Sequence, residues 1–270
     1  MKKIFVLFAL IFVSIPSFAQ EETDSVAIAN NPVNTMKITS PEDLIARATL
    51  AYEQGNYQQT IDDYEMLVSA FGKNADLYYN LGNAYFKNNN FAKAILNYER
   101  CLIYEPSHND ASANLELARQ NCVDRIDAVQ PIIFKVWIEN FGNLFSCDTW
   151  VNLSIALFLL FSVCAGGYFF MKNVAIRKTG FYLGIVSILL CLICNYFARK
   201  QYDRINERIY AIVVSPSVNV KGEPADSGTL LFTVHEGLKV KIHSHLSGWT
   251  EIELSDGNVG WIPTATLEVI

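Results

Sequence analysis

Histidine and charged side chains are scarce in this chain of 270 residues, of which 18% are charged. Four histidines occur, and none has an evident nucleophile to serve: His108, His235, His243 and His245. The sequence also lacks a phosphate-binding glycine loop, an HExxH motif and a GxSxG motif. We therefore expect no catalytic residues, no cofactor, no metal site and no enzymatic activity.

Positive charge is in deficit, with 21 basic against 27 acidic residues and a formal net charge of -6. Such a chain repels a phosphate backbone, so nucleic acid is not an expected partner. Hydrophobic residues make up 51% of the sequence, and the mean hydropathy is +0.19. The chain is too apolar for a wholly soluble protein, and its length leaves room for two small soluble domains plus membrane segments.

The segment Pro41–His108 repeats itself with a period of 34 residues. Aligned without a gap, the two copies give these pairs: Leu44 and Tyr78, Ala48 and Gly82, Ala51 and Tyr85, Tyr57 and Phe91, Thr60 and Ala94, Tyr64 and Tyr98, Leu67 and Cys101. The pattern resembles the tetratricopeptide repeat, in which large and small residues alternate so that two antiparallel helices interlock. The second copy, residues 75–108, carries most of that signature: Tyr78, Leu81, Gly82, Tyr85, Phe91, Ala94, Tyr98 and Pro106.

The first copy, residues 41–74, is looser, because Arg47 and Thr60 stand where a leucine and an alanine are usual. Both copies nevertheless place a turn at the same point, residues 54–56 and 88–90, built from residue types that readily adopt the left-handed conformation. We expect an all-α array over residues 41–125, completed by a capping helix that starts at Asp110.

A repeat array of this kind exposes a groove along the first helix of each unit. Tyr52, Tyr78, Tyr79 and Tyr85 fit best as core residues between the helices. The polar residues that remain to line the groove are Asn80, Asn83, Lys87 and Asn114. Such a groove binds a peptide or a partner helix and offers no chemistry of its own.

The N-terminus reads as a cleavable secretory signal over residues 1–19. Lys2 and Lys3 precede an apolar run that ends near Pro16, and a small-residue pattern follows it. An uncleaved anchor is the alternative, although the run is short for a membrane span. Residues 20–40 are expected to form a flexible linker.

Two further apolar runs, residues 150–171 and 180–198, are close to the roughly twenty residues that a transmembrane helix needs. The connection at 172–179 carries three cations and no acid, which favours the cytoplasmic side. The signal sequence leads to the same orientation, whereas the cations beyond the second span, at 199–204, disagree with it. We expect an inner-membrane protein with two spans, a juxtamembrane segment at 126–149, a linker at 199–208, and both soluble domains in the periplasm. Trp137 and Trp150 are expected near the outer interface.

Half of the six cysteines fall inside the spans. Cys191 and Cys194 form a CxxC motif, but a lipid-embedded helix lacks the surroundings of a redox site, so packing is the favoured interpretation. Cys101 fits a small buried repeat position. The sequence does not decide whether Cys122 or Cys147 forms a disulfide.

In residues 209–270, short segments of alternating apolar and polar residues are separated by turn residues, a pattern typical of short strands. The expected strands are 210–214, 218–220, 230–234, 239–243, 249–254 and 259–263. The segments Gly248–Ile252 and Asp256–Pro263 resemble the bacterial SH3-like domain, a small all-β barrel. In relatives that bind proline-rich peptides, positions matching Trp249 and Pro263 help to form an aromatic groove, so Trp249, Trp261 and Pro263 are candidate partner-binding residues. The tyrosine-rich opening strand and acidic loop of those relatives are absent, so a role for both tryptophans in a small core stays open.

The order of these parts resembles the BatE proteins of the Bacteroides-type aerotolerance system. The resemblance implies an inner-membrane complex linked to stress or oxygen tolerance, with von Willebrand A domain membrane proteins as partners. The physical hypothesis is a non-catalytic adaptor that binds proteins through the repeats and the barrel. The alternative is an envelope anchor whose barrel binds peptidoglycan.

Overall fold

The computed structural model describes residues 40–124, 133–206 and 209–270. The expected signal sequence and nearly all of the linker that follows it lie outside the described residues.

The described chain begins with five helices: α1 (Pro41–Glu53), α2 (Tyr57–Phe71), α3 (Ala75–Lys87), α4 (Phe91–Tyr104) and α5 (Asn109–Arg119). The helices of the second unit begin 34 residues after those of the first, as the sequence period predicts. The turns repeat as well, because Gly55 and Asn89 both have positive φ, at 76° and 60°. The helical repeat array is therefore confirmed.

The capping helix is present but starts differently from our prediction. Its N-cap is His108, whose Nδ1 accepts a hydrogen bond from the backbone N–H of Ala111 at 3.2 Å. Asp110 lies instead inside the first turn, where its negative carboxylate is attracted to the positive end of the helix dipole. The equivalent caps of α1 and α3 are Ser40 and Asn74, so the cap position also follows the repeat period.

The alternation of large and small residues explains how α3 and α4 approach each other. A Cβ atom on Gly82 would lie 2.7 Å from the ring of Tyr98, which is 1% exposed. Tyr78 and Tyr85 are buried as predicted, whereas Tyr52 and Tyr79 are only half-buried.

Three helices follow: α6 (Ile133–Gly142), α7 (Cys147–Phe170) and α8 (Val174–Asn206). The described residues thus include two helices, α7 and α8, that are long and apolar enough to cross a membrane. The connection between them is only 171–173, so most of the expected basic loop belongs to the first turns of α8. The expected linker after the second span is helical as far as Asn206.

Small and polar residues join α7 to α8. Asn195 donates to Ser154 Oγ at 2.6 Å, and Ser187 donates to the carbonyl of Leu157 at 2.6 Å. Cys191 is buried against Ser154, and its sulfur is hydrogen-bonded there. Cysteine at this CxxC position packs the two helices together, which agrees with the interpretation from sequence.

The C-terminal part is an antiparallel sheet of seven strands: β1 (Tyr210–Val213), β2 (Ser217–Lys221), β3 (Leu230–His235), β4 (Lys239–Leu246), β5 (Trp249–Glu253), β6 (Val259–Pro263) and β7 (Leu267–Val269). The strand order is β3-β2-β6-β5-β4-β1-β7. Alternate residues point inward, and those of β1 to β6 form one core that includes Val220, Val240 and Ile252. The all-β character is confirmed, and β7 is an additional strand that the sequence pattern did not predict.

Candidate functional site

Three of the predicted groove residues lie along one side of α3. Asn80, Asn83 and Lys87 are spaced i, i+3 and i+7, which places them in a single row on a helix. Asn80 and Asn83 are half-buried, and Lys87 is exposed at the last position of the helix. We call this row, together with Asn114 of α5, the polar groove.

A hydrogen-bond network fixes the centre of the polar groove. Oδ1 of Asn83 accepts from the hydroxyl of Tyr98 at 2.8 Å and from Nδ2 of Asn114 at 2.9 Å. Burial raises the pKa of the Tyr98 phenol, so the hydroxyl stays protonated and keeps donating. The network joins α3, α4 and α5, and it orients both asparagine amides before a partner binds.

The aromatic residues predicted in the sheet also come together. Trp249 and Pro263 are cross-strand neighbours, and Leu246 lies opposite Trp249 on the other side. Glu251 is paired in the same way with Trp261, one step along the sheet. Because side chains alternate along a strand, Trp249, Trp261 and Pro263 share the outer face, and each is partly exposed. We call these three residues the aromatic strip.

The two histidines beside the strip have different hydrogen-bond partners. A register shift between Ile242 and Ser244 separates them, so that His243 bonds to Glu253 at 2.8 Å and His245 bonds to Thr250 at 2.9 Å. The hydrogen bond from His243 and the nearby Lys241 lower the pKa of Glu253. In the ranges that the structure describes, no group of three or more histidine, cysteine, aspartate or glutamate residues is placed to hold a metal ion.

The sheet packs directly on the second repeat, a contact that sequence reasoning missed. Ile212 of β1 is fully buried within the core of the repeat array. Gly237, in the turn between β3 and β4, has φ of +87° and lies against Cys122 and Ile95. We call this contact the docking interface. No local pattern could have predicted it, because its two sides are more than a hundred residues apart in the chain.

Ion pairs surround the docking interface. The carboxylate of Glu99, a side chain only 9% exposed, accepts from Arg119 and from Lys239, each at 2.6 Å. Asp124 accepts a hydrogen bond from the backbone N–H of His235 at 2.6 Å, and its carboxylate also contacts the ring of His235. Arg100 links strand β7 to the array. Its guanidinium pairs with Glu268 and donates a hydrogen bond to a backbone carbonyl of β7 at 2.5 Å.

The sheet is bonded to Glu99 and Arg100 of α4 and to Asp124 beyond α5, and none of these residues belongs to the polar groove. The polar groove and the aromatic strip lie on different elements and are not brought into one pocket. All six cysteines are present as thiols. Burial raises the pKa of the Cys101 thiol to about 12, which makes it unreactive near neutral pH.

Residues 75–108 match the family model of the tetratricopeptide repeat. Such repeats are typically non-catalytic modules that bind other proteins, and no enzyme family is indicated. No curated protein matches the chain.

Proposed function

We propose that this protein is a non-catalytic adaptor, anchored in the inner membrane, that holds protein partners in the polar groove. The observation that carries the proposal is the preorganised network at Asn83. Paired amide groups at the centre and the exposed cation Lys87 at the edge suit the backbone amides and a carboxylate of an extended peptide.

The anchoring part of the proposal rests on α7 and α8. The start of α7 lies beside the end of the apolar part of α8, since Cys147 Sγ is 3.5 Å from the carbonyl of Ala198. The repeats and the sheet therefore emerge from the same end of the hairpin. The opposite end of the hairpin is the short turn between α7 and α8. It carries Lys172, with Arg177 and Lys178 close by, and this positive charge favours the cytoplasm for the turn and the periplasm for both soluble parts.

The order of the parts supports a role in a complex of the Bacteroides aerotolerance type, with von Willebrand A domain membrane proteins as partners. In such a complex the docked sheet would hold the aromatic strip at a fixed distance from the polar groove. Two partner contacts on one rigid body give a higher effective concentration than two contacts joined by a flexible linker.

The test is co-purification of the tagged full-length chain from its own membranes. We expect Asn80→Ala with Lys87→Ala to lose a discrete membrane protein that the unchanged chain retains. Glu116→Ala is the matched control, because Glu116 is exposed two residues beyond Asn114 and thus on the opposite side of α5. Equal retention by the groove variant and the control would refute the proposal.

A second candidate is an envelope anchor, favoured by the partial exposure of the aromatic strip, since tryptophan faces also pack against sugar rings. It predicts that the chain is retained on purified peptidoglycan and that Trp249→Ala abolishes the retention. Leu230→Ala, which changes an exposed apolar residue on β3, should leave the retention on peptidoglycan intact. Retention that both variants preserve, or no retention at all, would exclude this candidate.

A further inference from the structure

The short helix α6 carries an apolar stripe that the proposed adaptor function does not use. Its four residues are spaced i, i+3, i+4 and i+7 and therefore fall on one side of the helix. Their exposed fractions are large for apolar side chains: Phe134 77%, Trp137 72%, Ile138 48% and Phe141 49%. We call these four residues the apolar stripe. Asn140, also exposed, lies to one side of it.

The C-terminal end of α6 is fixed to the boundary of the membrane hairpin. The carbonyl of Gly142 accepts from Trp150 Nε1 at 3.0 Å and from Gln201 Nε2 at 2.6 Å. Arg204 donates to Asn143 at 2.9 Å. Trp150 stands at the start of the apolar part of α7, and Gln201 stands just beyond the apolar part of α8. These bonds hold α6 at the level where the apolar part of both spans ends.

Close packing supports the same position. A Cβ atom on Gly142 would lie 2.8 Å from the ring of Phe197, and the rings of Phe141 and Phe197 are 5.4 Å apart. Leu144, 53% exposed, and Phe145, 42% exposed, add further exposed apolar side chains between the stripe and α7. Phe141 thus joins the stripe to aromatic residues of both α7 and α8.

We propose that α6 is an interfacial helix whose apolar stripe is inserted among the lipid chains beside the two spans. Amphipathic helices of this kind lie in the plane of the bilayer, and aromatic residues are favoured at the level of the headgroups. The occupant is lipid because Phe141 of the stripe packs on Trp150 and Phe197, which belong to the two helices proposed to cross the membrane. The inference rests on the proposed membrane anchoring and does not depend on its orientation.

The test uses the full-length chain in phosphatidylcholine vesicles that contain brominated phosphatidylcholine. The difference in fluorescence between the unchanged chain and Trp137→Phe isolates the signal of Trp137. We expect this signal to be quenched more strongly by bromine near the ester end of the acyl chains than by bromine near their methyl end. Acrylamide, a quencher in the water phase, should reduce it little.

A matched pair of variants tests the direction of the stripe. Ile138→Glu places a charge in the lipid-facing row and should reduce quenching of Trp137 by brominated lipid. Asn140→Glu adds the same charge to an exposed position outside the row and should leave the quenching unchanged. Equal effects of the two variants would overturn the proposal.

Two other results would also overturn it. Strong quenching by acrylamide alone would place Trp137 in water, and protection from both quenchers would mean that a protein or a second copy covers the stripe. The signal that remains in Trp137→Phe separates this inference from the anchoring on which it rests, since Trp150 lies in the hairpin. If brominated lipid does not reduce that remaining signal either, the chain is not inserted in the bilayer, and both the interfacial helix and the membrane anchoring are refuted. The co-purification experiment tests the polar groove independently of this result.

Discussion

Substitution of Gly237 by alanine tests whether the sheet is docked on the repeats as the structure has it. Gly237 has φ of +87°, and a Cβ atom built on it would overlap Cys122 Sγ and lie 3.2 Å from Ile95 Cδ1. Two glycines in other turns of the same sheet provide matched controls. Gly248 and Gly257 have φ of +85° and +91°, and a Cβ atom on either would meet nothing within 4 Å.

The magnitude follows from separating backbone strain from steric overlap. An L-residue at positive φ costs about 1–2 kcal/mol, and this is the whole expected cost of Gly248→Ala or Gly257→Ala. Overlap in a packed interface adds about 1–3 kcal/mol, so Gly237→Ala should lower the free energy of unfolding by about 2–5 kcal/mol.

The assay is urea unfolding of the full-length chain in detergent micelles, with the loss of stability taken from the midpoint. Cys122→Ala removes the sulfur atom that a Cβ on residue 237 would strike. In that background, most of the extra cost of Gly237→Ala should disappear, while the cost of Gly248→Ala should not change. Equal costs at the three glycines, or an excess at Gly237 that Cys122→Ala does not reduce, would refute the docked arrangement.

Three further predictions concern the array and its contacts. Gly82→Ala should destabilise the array by about 1–3 kcal/mol because its Cβ would strike Tyr98, and an unchanged urea midpoint would contradict the close helix packing. Glu99→Gln leaves Arg119 and Lys239 without their shared carboxylate, so unfolding free energy should fall by about 1–3 kcal/mol, unlike in Glu116→Gln, where the carboxylate is exposed. The Cys101 thiol should react with iodoacetamide at pH 8 only as fast as the array unfolds, and rapid alkylation of Cys101 in the native chain, located by peptide mass spectrometry, would contradict its burial.

The repeat array shows how far a periodic sequence predicts its own structure. Helix starts, the turns at Gly55 and Asn89, and the cap positions all recur at the sequence period, because each unit must present the same surface to the next. The identity of the third cap was mispredicted because Asp110 is the commoner capping residue. His108 occupies the repeat-equivalent position and fulfils the same role with a ring nitrogen.

The strands of the sheet could be predicted from the sequence, but the contact of the sheet with the repeat array could not. Alternation over five or more residues identified β5 and β6, whereas β7 spans only Leu267–Val269 and is too short to show a period. The docking interface depends on residues such as Glu99 and Lys239 that have no relation in sequence. Ion pairs and buried apolar contacts between distant segments leave no local pattern, so only the structure reveals that the two soluble parts form one body.

Photo-crosslinking in the intact cell tests whether the polar groove holds a protein partner. A photoreactive amino acid at Asn80 lies in the groove, and the same amino acid at Glu116 is exposed on the opposite side of α5. We expect a discrete adduct with a membrane protein from Asn80, absent from Glu116 and lost when Lys87 is changed to alanine. The same adducts from both positions, or none from Asn80, would contradict it.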